Sequence, residues 1–169
     1  MDISRESEAT STENPTGVER KSERELVVTR TVNAPAHLVF EAWTKAELFR
    51  RWWVPKSFGV TLISCEMDVR VGGQYRLVFP YEDSTMEFFG TYLEVKPHSR
   101  LVWTNDEDDG GKTVTTVTFE ETAGKTRVVI HDLYPSKEAV ETGSTGAMPE
   151  ALDQLDELLA SLGSSAETK

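Results

Sequence analysis

The side chains able to carry chemistry are few and scattered. Three histidines, His37, His98 and His131, and one cysteine, Cys65, are spread along 169 residues. None of the histidines stands at metal-ligand spacing from another or from Cys65, so neither a metal nor any other cofactor is expected. No serine lies in a G-x-S-x-G context, which leaves nucleophilic catalysis without a candidate. Cys65 falls on the apolar side of an alternating run, where a buried and inert thiol is the usual state. Gly72-Gly73 precedes a strand pattern and not a helix, so it is a turn and not a phosphate loop. Asn105 to Gly111 lacks the ligand offsets and the closing glutamate of a calcium loop, and Asp-Gly is itself a hairpin signal.

Two residues stand out by position. Arg30 shares strand parity with Leu26, Val28 and Val32, and a charge on such a face needs a partner or an exit to water. An ion pair with Asp68 or Glu94, or a stem that snorkels at the sheet edge, would satisfy it. The functional alternative is an anchor for an anionic or carbonyl ligand. His131 is the one histidine inside a strand pattern, on the parity of Val129 and Leu133. It is either a satisfied core or edge residue or a proton-transfer or ligand-contact group.

The elements that must position these groups follow from periodicity. Residues 1–22 are polar and read as a disordered tail. Leu26 to Val32 is a β-branched strand, ended by Asn33-Ala34-Pro35. Pro35 suits the first position of a helix running to about Trp43, and Thr44 with Glu47 has the spacing of a capping box for a short second helix. Alternation then marks strands over Thr61–Val69, Tyr75–Phe79, Met86–Val95, Arg100–Thr104, Thr113–Phe119 and Lys125–Leu133, with an acidic hairpin tip over Asp106–Gly111. A last helix runs from Ala147 to Leu162, capped by Ser144 or Thr145, with Pro149 in its first turn. Met148, Leu152, Leu155, Leu159 and Leu162 form its apolar stripe, while Asp153, Gln154, Asp156 and Glu157 lie off it and face water. Short turns between successive strands imply an antiparallel sheet covered by helices on one face, an α+β domain over residues 23–163 with a disordered tail at 164–169.

Charge and composition narrow the partners. Eighteen basic against 29 acidic residues give a net charge of −11, which disfavours nucleic acid, including for the helix pair that follows the first strand. A single cysteine fits a reducing compartment. No apolar run has signal-peptide or membrane-spanning length, so a cytoplasmic protein without membrane insertion is expected.

The same residues carry a resemblance. Ala34-Pro35 with Val39-Phe40, Ala42-Trp43-Thr44, Trp52-Trp53, Cys65-Glu66 with Asp68, Arg70 and Gly72-Gly73, then Gly90, Tyr92 and Glu94 before Pro97 and Arg100-Leu101, resemble the activator-of-heat-shock-protein-90-ATPase-like family. That family belongs to the START-like, birch-pollen-allergen-like superfamily of helix-grip folds. The resemblance implies a curved antiparallel sheet of about six or seven strands wrapped around the long C-terminal helix, with two short helices between strands 1 and 2 and a cavity between sheet and helix. Relatives often carry Gly-Trp before the Leu-Asp-x-x-Leu stretch, where this chain has Ala147-Met148 before Leu152-Asp153-Gln154-Leu155. Met148 and Leu152 are therefore expected at the cavity.

Aromatic residues then acquire a second meaning. Trp43, Trp52, Trp53, Phe58, Tyr75, Phe79, Phe88 and Trp103 suit core packing one by one. Together they suit a pocket for a hydrophobic or amphipathic small molecule of lipid, polyketide or aromatic type. The expected ligand-binding set is Arg30, Trp43, Trp53, Tyr75, Phe79, Phe88, Trp103, His131, Met148 and Leu152, with Tyr75 and Trp103 as donors. Two other readings of the resemblance stand beside it: a cochaperone-like module docking on a basic protein partner, and a cyclase or hydrolase-like enzyme using His131 and a tyrosine as acid and base.

Overall fold

The computed structural model describes residues 16–106, 112–136 and 148–167. Eight strands, β1 (Gly17–Ser22), β2 (Glu25–Val32), β3 (Ser64–Met67), β4 (Gln74–Tyr81), β5 (Ser84–Lys96), β6 (Arg100–Asp106), β7 (Lys112–Thr122) and β8 (Lys125–Leu133), form one sheet. Their order is β1-β2-β8-β7-β6-β5-β4-β3, every pair antiparallel. Helices α1 (Ala36–Thr44) and α2 (Ala46–Trp52) and a 3-10 turn (Lys56–Phe58) lead from β2 to β3. Helix α3 (Met148–Glu167) packs against α1, α2 and β2.

The N-terminal strand is a departure from expectation. Gly17–Ser22 was expected to belong to a tail, yet it pairs with β2 from Gly17↔Thr29 onward. Every residue of β1 is exposed, so it has no apolar alternation for sequence reading to detect. Residues 1–15 of that expected tail lie outside the described residues. At the other end, helix α3 continues through Glu167, into the segment expected as a tail from residue 164. The acidic hairpin tip beyond Asp106 and the proposed caps Ser144 and Thr145 also lie outside the described residues. Strand β3 is shorter than the Thr61–Val69 alternation predicts, covering only Ser64–Met67.

Strand β5 serves both halves of the sheet, pairing with β4 through Thr91 and with β6 from Tyr92, and Gly90 is where it approaches β6 most tightly. A Cβ on Gly90 would lie 1.8 Å from the Thr104 carbonyl oxygen of β6. Only glycine admits that approach. The Tyr75 ring lies opposite Gly90, and its hydroxyl donates to the Thr104 carbonyl at 2.8 Å.

The helices close differently from the sequence reading. Pro35 is the N-cap of α1, and the free Ala36 amide donates to Glu121 of β7 at 2.9 Å. The Thr44–Glu47 capping box does not form: Lys45 is the N-cap of α2, and the Thr44 hydroxyl donates back to the Phe40 carbonyl at 2.8 Å. Along α3, Leu152, Leu155 and Leu159 are fully buried as the stripe predicts, but the flank expected in water is largely engaged. Gln154 is 8% exposed; its amide donates to the Trp52 and Val54 carbonyls, and its carbonyl accepts from the Lys56 amide at 2.8 Å. Glu150 accepts from the Ser57 amide and hydroxyl.

Candidate functional site

Strand parity defines which side chains face the helix. Val28 and Val32 of β2, Val128 and Ile130 of β8, Val117 and Phe119 of β7, Leu101 of β6 and Leu77 of β4 belong to one buried core with α3. Continuing that parity toward the end of the sheet where β6 and β8 finish and β4 begins changes its chemistry. The inward positions become Asp132 and Tyr134 on β8 and just after it, Thr113 and Thr115 on β7, Trp103 and Asn105 on β6, Tyr92 on β5 and Tyr75 on β4.

These groups form a polar band that contains two separate hydrogen-bonded pairs. The Thr115 hydroxyl donates to Asp132 Oδ1 at 2.6 Å, and Tyr75 O–H reaches Asn105 Oδ1 at 3.3 Å as well as the Thr104 carbonyl. Asn105 is directly opposite Thr113, which lies two residues before Thr115 on the same face. Tyr75, Tyr92 and Trp103 line the band as a run of rings, with centroids 5.8 and 6.4 Å apart. Burial pushes the Asp132 carboxyl above the ordinary aspartate range, against the hydrogen bond from Thr115 and the weaker influence of His131. Burial also raises the Tyr92 phenol, helped by Cys65 and Asp68, so Tyr92 remains a neutral hydroxyl at physiological pH.

The expected site residues divide into three groups. Tyr75, Trp103, Phe79, Phe88 and Met148 lie on or against the helix-facing core, with Phe79 and Phe88 edge to face at 5.4 Å. Trp43 and Leu152 are core residues, 2% and 0% exposed. Trp43 packs among Trp52, Trp53, Phe49, Trp103 and Phe119, and its indole N–H has no hydrogen-bond partner among the described residues; Trp53 stacks on Phe49 at 4.7 Å.

Arg30 and His131 are engaged elsewhere. Arg30 is 8% exposed, and its guanidinium donates to Asp153 at 2.6 Å, Asp156 at 3.1 Å and Thr16 at 2.8 Å. It is an ion pair, as one reading expected, but its partners are on α3. Asp68 instead holds Arg70, and Glu94 holds Lys96 and Arg100. Arg30 thus ties α3 to β2, and its charge is compensated. His131 lies on the opposite face of β8 from Asp132, with Nε2 2.9 Å from Glu25 Oε2. That hydrogen bond holds the partly exposed Glu25 carboxyl below its ordinary value. An acid/base pair of His131 with a tyrosine is therefore not assembled: the imidazole faces out while Tyr75 and Tyr92 face in. The other two histidines, distant in sequence, meet at 6.3 Å between ring centroids.

At the same end of the sheet a groove of about 650 Å³ opens beside the turn before β4, lined by Glu66, Asp68, Arg70, Arg76, Phe89 and Asp106 among others. Both guanidinium groups in it are spent, Arg70 on Asp68 and Arg76 on Glu87 at 2.7 Å. The groove therefore offers no free cation for an anion. Among the described residues no group of three or more His, Cys, Asp or Glu side chains is placed to hold a metal ion.

Asp132, Thr115 and Asn105 were absent from the sequence expectation. The signal was available in the alternation Thr126, Val128, Ile130, Asp132, but His131 drew attention by residue type.

A curved antiparallel sheet gripping a C-terminal helix, with two short helices between β2 and β3, defines the START-like helix-grip class. Within it, residues 33–160 match the model of the family described as activator of Hsp90 ATPase homolog 1-like protein, and the chain belongs to that family. No curated protein sequence matches it. Among solved structures, a Rhodobacter sphaeroides protein is similar at 23% identity and TM-score 0.77, covering 87% of this chain and 99% of that one. A Staphylococcus epidermidis protein is similar at 25% identity and TM-score 0.71, covering 85% and 93%. An Arthrobacter aurescens protein is similar at 21% identity and TM-score 0.73, covering 86% and 91%. The likenesses establish the fold. Among the described residues, no helix is long and apolar enough to cross a membrane.

Proposed function

We propose that this protein binds a hydrophobic or amphipathic small molecule between the concave face of the sheet and α3, with the polar part of the ligand at Asp132, Thr115 and Asn105. The observation that supports this most is the polar band itself. Inward-facing Asp132, Thr115, Thr113 and Asn105 cluster at one end of a face whose other buried polar groups are the paired Arg30 and Thr126, beside the rings of Tyr75, Tyr92 and Trp103. A core built for stability alone gains nothing from a half-buried carboxylate, whereas small-molecule sites typically combine apolar walls with a few oriented polar groups. Helix α3 begins at this end: Asp153 and Asp156 follow β2 in step from Arg30 to Asn33, which directs Met148 toward the Asp132 end. Its single cysteine and acidic charge support a cytoplasmic setting.

Native mass spectrometry of protein purified from its own host tests the reading. A retained small molecule that stabilises the chain when added back to stripped protein is the expected result. A clean apo mass, together with an unchanged melting temperature across lipids and aromatic polyketides, would count against it.

A further inference from the structure

We propose that the polar end of the concave face selects a ligand head that donates hydrogen bonds, an ammonium or a hydroxyl, and rejects carboxylate heads. The inference rests on the carrier reading above and adds the chemical class of the ligand.

The argument is one of charge and orientation. Thr115 holds Asp132 by Oδ1 at 2.6 Å, and Oδ2 has no hydrogen-bond partner among the described residues. The cation on the same face of β2 that could have neutralised it, Arg30, lies level with Val128, four residues along β8, and is already bound by Asp153 and Asp156. His131, the adjacent ionisable group, points to the other face and is held by Glu25. Two further acceptors lie at this end, the Thr104 carbonyl and Asn105 Oδ1, which share the Tyr75 hydroxyl at 2.8 and 3.3 Å. A donor head meets a preoriented acceptor, and an ammonium gains a charge-assisted bond. A carboxylate head meets like charge in a partly desolvated site, which is the repulsive element that gives selectivity. Burial raises the affinity of Asp132 for its proton, and the Thr115 hydrogen bond opposes that shift.

Three probes that differ only in the head group separate these cases: naphthylmethylamine, naphthylmethanol and naphthoate, titrated calorimetrically into the full chain. The amine and the alcohol are expected to bind, and naphthoate to bind at least about tenfold more weakly than either. Asp132→Asn is expected to weaken the amine by about tenfold and the alcohol by less than about threefold, which tells the ionic head from the neutral one. Thr115→Val, which frees the carboxylate, is expected to weaken both. Naphthoate binding as tightly as the amine overturns the selectivity and leaves the carrier reading standing. Binding by none of the three overturns both. Amine and alcohol affinities that neither variant changes move the head group away from Asp132 and overturn the inference.

Discussion

Asp132 is held at a cost to the fold. Because burial raises its proton affinity, the folded chain binds that proton more readily than the unfolded chain does. Stability therefore falls as pH rises from the unfolded aspartate range through the folded value. Asp132→Asn removes this cost, so its melting temperature is expected to exceed that of the wild type at neutral pH. The gap should close as pH drops below roughly 4, where the wild-type carboxyl is also neutral. Thermal denaturation at the two extremes checks the sign; a variant less stable at neutral pH would contradict it. Arg30 behaves in the opposite way. Arg30→Met leaves Asp156, with 20% side-chain exposure, without its cation, and a loss of about 2 kcal/mol in urea denaturation is expected, with probe affinity retained. The sequence made Arg30 conspicuous through parity but could not name its partners, because Asp153 and Asp156 lie 123 and 126 residues away. Asp132 is hidden for a simpler reason: it shares the parity of Ile130, and hydrophobic alternation does not mark a polar residue that continues the same face.

At the scale of elements, α3 is held on two sides. Leucine periodicity announces the apolar stripe, since spacing alone places Leu152, Leu155 and Leu159 on one face. The polar flank is silent in sequence because Gln154 bonds backbone groups of Trp52, Val54 and Lys56, and backbone atoms carry no residue signature. Gln154→Leu strands two carbonyls and one amide in a buried setting. A loss of about 2–3 kcal/mol is expected, read as a lower denaturation midpoint with an unchanged slope. The close approach of β5 to β6 gives a second element-level prediction. Gly90→Ala forces a methyl group against the Thr104 carbonyl and should cost about 3 kcal/mol or more, whereas alanine at the exposed Gly17 position, 4.0 Å from the nearest neighbour, should cost little. Equal effects at the two positions would mean that β5 and β6 do not approach so closely.

For the whole molecule, the division between what the sequence revealed and what it withheld has a physical basis. Strand alternation, Gly72-Gly73 and the final amphipathic helix were enough for an α+β chain, because each is a local consequence of burial on one face. Strand β1 escaped since it buries no side chain and is held by backbone pairing to β2. The polar band escaped since it is assembled from β4, β6, β7 and β8 at once, and only the register places Tyr75, Asn105, Thr115 and Asp132 at one end. A scaffold with an apolar core and a polar, aromatic end suits a ligand that is itself two-sided.

The four indole N–H groups allow that account to be tested in one spectrum. The Trp52 N–H is bound to the Ala42 carbonyl at 2.9 Å in the sealed core, whereas Trp103 lies between Tyr92 and Trp43 on the helix-facing wall. In a nitrogen-labelled sample titrated with naphthylmethylamine, the Trp103 indole signal and the Thr115 and Asp132 amides are expected to shift while the Trp52 indole stays in place. Shifts confined to the groove residues Glu66, Arg76 and Phe89, or no shifts at saturating probe, would contradict binding on the concave face.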